Sequence, residues 1–392
     1  SSAKPLDTVI FGATGFTGKH AIYHLVRFAQ QHNLTWGVAG RSETKLKEIL
    51  SEASKRNVIV AEVNDDDSLN RMCGQCKVIV NCCGPYRLYG EPVVRAAIHS
   101  KTHYVDVTGE PQFMETMQIR YGEEARSAGV FVVSACGWDS VPTDMGVIYL
   151  QDHFAGVLNS VESYVRNKVP REVQSQARSG LINGGTWDSL VHQLISNPRP
   201  IRKHGRQYCV PFPRSDESVV HRTQRTLFEQ RAQPRPARLR AYFVSGNLLS
   251  TVRFLIAALL LFLMTRFRFT TKLLLRHPRL FSFGTVTREG PSDLVNESVE
   301  FEFELIGKGW AREADVAGAD PDKEMTVTVS GKNPAYGATV IALLLCAYTV
   351  LKEQDQMPTT KGVMTTGVAF RNTNLIKNLN EHGVKFEIVN EK

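Results

Sequence analysis

The 392 residues exceed what one hydrophobic core ordinarily organises, so two domains are expected, and 42% hydrophobic with 22% charged residues excludes a disordered chain. Seven cysteines (Cys73, Cys76, Cys82, Cys83, Cys136, Cys209, Cys346) are odd in number and lack disulfide-type spacing, which fits a reducing compartment. The net charge of +8 is local: Gln230 to Arg288 holds eleven Lys and Arg and no Asp or Glu, while the rest sets 36 basic against 39 acidic residues.

The start, Ser1 to Asp7, has no apolar run of the secretory type, so a cytosolic beginning is expected. Six short apolar, β-rich runs follow: Thr8 to Gly12, Thr35 to Ala39, Val58 to Val63, Val78 to Cys83, Tyr104 to Val107 and Val130 to Ser134. Helical patterns lie between them, among them Phe16 to Gln31, Ser42 to Lys55 and Pro92 to Ser100. That alternation predicts βαβ units in a doubly wound parallel sheet, with ligands at the carboxyl ends of its strands. After about residue 155 the runs Val161 to Val165, Ala241 to Val244, Val299 to Leu305 and Met325 to Val329 read as a second, mostly antiparallel domain. Ala335 to Leu351 reads as a buried helix, and Leu375 to His382 with Val384 to Val389 as a closing helix and strand. The expected class is α/β: a Rossmann domain over 1–155, an α+β domain over 156–334, and 335–392 returning to the first.

The run Gly12-Ala13-Thr14-Gly15-Phe16-Thr17-Gly18 stands between the first strand and the first helix. Glycines there let backbone N–H groups approach a pyrophosphate at the positive end of the helix dipole. A strand before and a helix after raise this GxxGxxG spacing above a chance match. At the second strand end an NAD site usually carries an acid for the ribose 2′-hydroxyl, whereas here Arg41 and Ser42 follow Gly40. A guanidinium fork and a hydroxyl suit a 2′-phosphate, so NADP(H) is expected before NAD; the alternative is Arg41 as a solvated charge and Ser42 as the cap of the next helix, a role compatible with phosphate contact.

Further strand ends supply Asn81-Cys82-Cys83-Gly84-Pro85-Tyr86, Asp106 to Glu110, and Cys136 to Asp144. Cys83, Gly84 and Pro85 are candidates beside the cofactor's ribose and nicotinamide. Tyr86, Asp139, Ser140 and Asp144 are candidates for proton transfer, although Asp139 or Ser140 can equally cap a helix and Tyr86 can wall a pocket. Cys73-Gly74-Gln75-Cys76 precedes a strand rather than opening a helix after one, which points to structural thiols, and no metal site is expected.

The segments GATGFTGK, VNCCGPY, VDVTGEP and CGWDSVPTDMG together resemble the saccharopine dehydrogenase-like oxidoreductases. The resemblance extends to Gly185-Thr186-Trp187, the apolar stretch near 254–265 and Phe281-Ser282-Phe283-Gly284. It implies a nicotinamide cofactor on residues 12–17 with Arg41 and Ser42 at the adenosine ribose. It also implies an inserted domain for substrate binding or homodimer formation. Family members that reduce saccharopine precursors recognise amino-acid carboxylates, more distant bacterial relatives look like trans-acting enoyl reductases of lipid synthesis, and animal members resembling this chain are associated with lipid droplets and membranes.

Phe254 to Thr265 holds twelve uncharged residues, about 18 Å as a helix, short of a ~30 Å hydrocarbon core. The residues that follow interleave Phe and Leu with Arg and Lys. Residues 248–283 therefore read as an interfacial segment for a lipid droplet or the cytosolic face of a membrane, the alternative being a buried helix or dimer core. Nothing accompanies the charge that would suit nucleic acid. The expectation is an NADP(H) oxidoreductase acting on a small-molecule or lipidic substrate. A non-enzymatic nucleotide-binding lipid-surface scaffold and a saccharopine-type amino-acid dehydrogenase are the alternatives.

Overall fold

A computed structural model describes residues 4–50, 57–170, 172, 182–183, 202–211, 215–282, 286–287 and 293–391. Gly185-Thr186-Trp187, Phe283-Gly284 and the end of the expected helix Ser42 to Lys55 lie outside them. The chain divides into two units, residues 1–141 with 336–382 and residues 142–335 with 383–392.

The first unit alternates β1 (Leu6–Phe11), α1 (Phe16–His32), β2 (Trp36–Gly40), α2 (Glu43–Glu48), β3 (Val58–Val60), α3 (Asp66–Gly74), β4 (Cys76–Asn81), α4 (Tyr86–His99), β5 (His103–Asp106), α5 (Pro111–Ala128) and β6 (Phe131–Val133). Val9, Ile10, Val38, Ile79, Val105 and Val132 are buried, as strands covered on both faces require. The expected Pro92 to Ser100 helix begins six residues earlier, at Tyr86, and Pro92 sits inside it. The Glu110 carboxylate accepts the amides of Tyr86 and Arg87, each at 3.0 Å, and so starts the helix from 24 residues away.

In the second unit, α6 (Val141–His153) precedes β7 (Val157–Lys168), β8 (Ile182–Asn183), β9 (Arg202–His204), β10 (Gln207–Pro211), α7 (Asp216–Glu229) and β11 (Arg238–Gly246). Three helices follow, α8 (Leu248–Thr265), α9 (Arg268–Arg276) and α10 (Pro278–Phe281). Then come β12 (Val286–Thr287), α11 (Asp293–Ser298), β13 (Glu300–Trp310) and β14 (Lys323–Lys332). The chain returns to the first unit for α12 (Thr339–Lys352), β15 (Gly362–Met364), α13 (Thr366–Phe370) and α14 (Leu375–Glu381). It finishes on the second with β16 (Lys385–Glu391).

The first sheet is all parallel in the order β15-β6-β5-β4-β1-β2-β3. Its order reverses between β1 and β4, the switch point at which such sheets take ligands. The second sheet runs β16-β14-β13-β7-β11-β10-β9 and is antiparallel except where β7 meets β11. On β13, Phe301, Phe303 and Leu305 are buried while Glu300, Glu302 and Glu304 alternate with them on the other face. Gly146 of α6 lies on the apolar face so closely that a Cβ there would stand 2.4 Å from Leu305 Cδ1.

Two boundaries differ from the sequence expectation. Helix α6 belongs to the second unit from Pro142 onward, and β16 pairs with β14 rather than returning to the first sheet. Alternation identifies a strand but not its partner. Helix α12, by contrast, is the buried helix expected, lying against α1, β4 and β5.

Candidate functional site

At the switch point, Cys82 N–H donates to Phe11 O at 2.8 Å, and the Gly12 and Ala13 amides donate to Ala39 O at 3.1 and 3.3 Å. The ends of β1, β2 and β4 are thereby tied together. Gly12 has φ +78°, and a Cβ on it would meet the Cys82–Cys83 backbone at 2.9 Å. A Cβ on Gly18 would stand 2.3 Å from Gly12 O and 2.7 Å from Ala13 Cα. The turn is thus folded onto the first turn of α1 with no room for a side chain. Gly15 caps α1 without a side-chain hydrogen bond, and the helix has no acidic residue in its first turn. Its positive end is left to an anionic ligand.

Arg41, exposed at the end of β2, is near enough for its charge to lower the Cys83 thiol against the larger upward push of burial. Ser42 caps α2, accepting Lys45 N–H at 3.4 Å. Both stand where a 2′-phosphate would be read, so glycine cradle, open helix end and cation together fit NADP(H). Tyr336, far off in sequence, packs its ring 4.2 Å from Phe16 and stacks on His20 at 4.7 Å, bracing α1 beside its N-terminus.

Below the ends of β4, β5 and β6 runs a buried polar chain with one direction. Cys83 N–H donates to Asn81 Oδ1 (3.0 Å), Asn81 Nδ2 to the Tyr104 hydroxyl (3.0 Å), and Tyr104 to Asp106 Oδ2 (2.8 Å). Ser134 Oγ reaches the same oxygen at 3.0 Å, and Asp106 Oδ1 takes the Thr108 and Ala135 amides at 2.9 Å. Burial raises the Asp106 carboxyl to about 6, against the lowering pull of those amides and hydroxyls. Ala135, at φ +60°, is held left-handed by the same carboxylate, which fixes the strand end leading to Asp139. Asp106 therefore organises the backbone on both sides of β5.

The four proton-transfer candidates are not alike. Tyr86 is buried and its hydroxyl donates to Asn81 O at 2.8 Å, so it serves the framework. Burial, with Asp106 next, also pushes that phenol well up. Ser140 is buried in the turn that closes on Gly137 O. Asp144 lies in the second unit, buried, and accepts Thr223 Oγ1 at 3.0 Å. Asp139 keeps part of its surface and sits over Gly109, whose Cβ would come 3.2 Å from Asp139 Oδ2. Tyr86, Asp139 and Ser140 share the first unit; Asp144 does not. Cys73 and Cys76 are buried, and burial raises Cys76 to about 12, so the CxxC is structural. Glu110, Tyr104 and Tyr336 were not separable from ordinary core or surface positions by sequence; the only available signal was the polar cluster after β5.

Residues 8–133 match the saccharopine dehydrogenase NADP binding domain. A human protein named saccharopine dehydrogenase-like oxidoreductase is 33% identical over 98% of this chain and 98% of its own. The chain belongs to the saccharopine dehydrogenase-like oxidoreductases. Within that family, a Caenorhabditis elegans relative named lipid droplet localized protein is also 33% identical over 98% of each chain. Among solved structures, apo saccharopine dehydrogenase (L-Glu forming) from Saccharomyces cerevisiae superposes with a TM-score of 0.56 at 15% identity, covering 98% and 100%. That likeness concerns the fold alone. Membership fixes the Rossmann unit of the oxidoreductase as its NADP(H)-binding part.

The basic segment takes a form that sequence reading shortened. Helix α8 has 18 residues, about 27 Å, because Asn247 caps it by accepting Ser250 N–H at 2.9 Å; the charge on Arg253 ends an apolar run but not a helix. Only 6% of α8 is buried, so the alternative of a core helix is not what the described residues form.

Proposed function

We propose that this oxidoreductase uses NADP(H) at a lipid surface on a lipidic, acyl-type substrate. The observation that carries the reading is one chain holding both a glycine cradle shaped for a pyrophosphate and an exposed apolar helix set among unopposed cations. The name of the worm relative agrees with it.

When bound, NADPH supplies the hydride. The rest is the work of the chain. The amides of the Gly12 to Gly18 turn and α1 hold the pyrophosphate, Arg41 and Ser42 select the 2′-phosphate, and Cys83, Gly84 and Pro85 line the nicotinamide side. Asp139, partly open where Tyr86 and Ser140 are buried, is the group for the proton. Residues 248–282 bring the enzyme to its substrate, located on droplets or the cytosolic face of membranes.

The test is NADPH oxidation with enoyl- or keto-acyl lipids presented in micelles. Wild-type turnover should fall at least tenfold in Asp139→Asn with NADPH affinity unchanged, and vanish with NADPH binding in Gly15→Trp. A protein that binds NADPH yet oxidises none with any such lipid would favour a non-enzymatic nucleotide-binding scaffold. The internal engagement of Tyr86 speaks for that second reading.

A further inference from the structure

Residues 247–282 are rooted on the second sheet and then turn back on themselves. At the root, Ser245 Oγ and Thr251 Oγ1 lie 2.7 Å apart and Phe254 stacks on Phe243. At the tip, Thr271 Oγ1 donates to Thr265 O at 3.3 Å, and Thr270 donates to the carbonyls of Met264 and Phe267, closing the turn between α8 and α9. Leu274 of α9 is buried with Leu261, Met264, Leu275 and Phe281. The result is a helical hairpin with a small core of its own.

The outer surface of this hairpin has two components. At 100° per residue, exposed Leu248, Val252, Leu255, Ile256, Leu259 and Leu263 share one arc of α8 roughly 100° wide, with Arg253 roughly 60° beyond its edge. On α9, Arg268, Lys272 and Arg276 recur at i, i+4 and i+8, an arc of roughly 80° opposite Leu274. Phe267 and Phe269 stand exposed beside them. Arg253, Arg266, Arg268, Lys272, Arg276 and Arg279 are all exposed, and among the described residues none joins an ion pair.

Length alone leaves a spanning helix open, but the hairpin does not. Because α9 packs beside the second half of α8, insertion of α8 across a bilayer would drag Arg268, Lys272 and Arg276 into hydrocarbon, where each charge is disfavoured. An interfacial position satisfies both components, with the apolar arc among acyl chains and the cations at headgroup level.

We propose that the hairpin is a reader of anionic phospholipid, its α9 ridge and flanking arginines engaging headgroup phosphate and carboxylate while α8 supplies the apolar hold. The inference rests on the lipid-surface reading above and adds the chemistry of the lipid. Six cations with no acidic neighbour from Gln230 to Arg288 form a surface complementary to negative charge, and each basic residue at a membrane surface contributes about fivefold in partitioning.

The test is flotation of the full chain with vesicles of phosphatidylcholine alone and of phosphatidylcholine with phosphatidylserine, at low and high salt. The chain is expected to prefer the anionic vesicles, and salt to narrow the gap. Arg268→Gln/Lys272→Gln/Arg276→Gln, all exposed and so expected to melt as wild type, should lose about a hundredfold on anionic vesicles and little on neutral ones. Leu255→Ser/Leu259→Ser should lose both. Equal binding to the two vesicles, or a triple variant that keeps its preference, overturns the headgroup inference and leaves the lipid-surface reading standing. Binding to neither overturns both. Dimerisation abolished by Leu255→Ser/Leu259→Ser, without vesicle binding, also overturns both and makes the hairpin a contact between copies.

Discussion

Gly18→Ala isolates the contact between the dinucleotide turn and α1. The added methyl would lie 2.3 Å from Gly12 O, 2.7 Å from Ala13 Cα and 2.9 Å from Ala13 C, all backbone atoms, whereas ordinary contact begins at 3.4 Å. No side chain can swing aside, so turn and helix must part by roughly 1 Å. Overpacking of this kind costs about 1–3 kcal/mol, offset by up to ~1 kcal/mol of helix propensity gained on replacing glycine. With that offset in full, the net loss of stability is about 0–2 kcal/mol. Ligand binding should suffer more, because the α1 amides no longer meet the pyrophosphate together. Losing two charge-assisted hydrogen bonds at ~1.5–3 kcal/mol each weakens NADPH at least a hundredfold. Isothermal titration and thermal melting measure the two effects separately. Gly74→Ala is the control, since its Cβ meets nothing within 4 Å and it should melt at or above the wild-type temperature. A Gly18→Ala protein that binds NADPH within twofold of wild type would refute the reasoning.

Arg41→Ala should weaken NADPH by about ten- to a hundredfold and leave NADH nearly unchanged; parallel titrations decide, and an equal loss for both cofactors removes the 2′-phosphate role. Glu110→Ala strips the Tyr86 and Arg87 amides of their acceptor and should lower stability by about 1–3 kcal/mol in urea unfolding, an unchanged midpoint counting against the cap. The last prediction concerns pH. His103 is lowered to about 4 by burial and then by Lys361 and Lys4, so its neutral form is the folded one: no penalty exists above about 6.5, and a full one exists below about 4. Asp106, raised to about 6, behaves oppositely, with its penalty absent below about 3.8 and complete above about 6. Each amounts to roughly 3 kcal/mol, and between pH 6 and 4 one grows as the other fades, so their slopes nearly cancel and the sum stays almost level. Asp106→Asn removes one of the pair, so its stability should fall with acidification through that window more steeply than wild type. Parallel pH curves for the two proteins would discard the assignment.

What the sequence made legible was local. The glycine run lies between its strand and its helix within a dozen residues, and period and turn chemistry suffice to read it. Ser42 as a cap and Arg41 beside it were legible for the same reason. What could not be read depends on partners brought together by the sheet. Glu110 starts a helix 24 residues earlier, Asp106 collects donors from two strand ends, and Tyr336 reaches Phe16 across most of the chain. None of these leaves a periodic trace. The length of α8 escaped for a different reason: hydropathy stops at Arg253, while helix formation follows the cap at Asn247 and is indifferent to one exposed charge.

The route of the chain through its two units bears on how the protein is made. The edge strand β15 and the helix α12, which covers β4 and β5, are supplied only after residue 338, when nearly all of the second unit has left the ribosome. Until then the nucleotide-binding sheet has a bare edge at β6 and an apolar face left bare over β4 and β5, features that invite aggregation or chaperone capture. A messenger cut short before that point would yield a chain with an intact phosphate turn and no finished sheet to hold it.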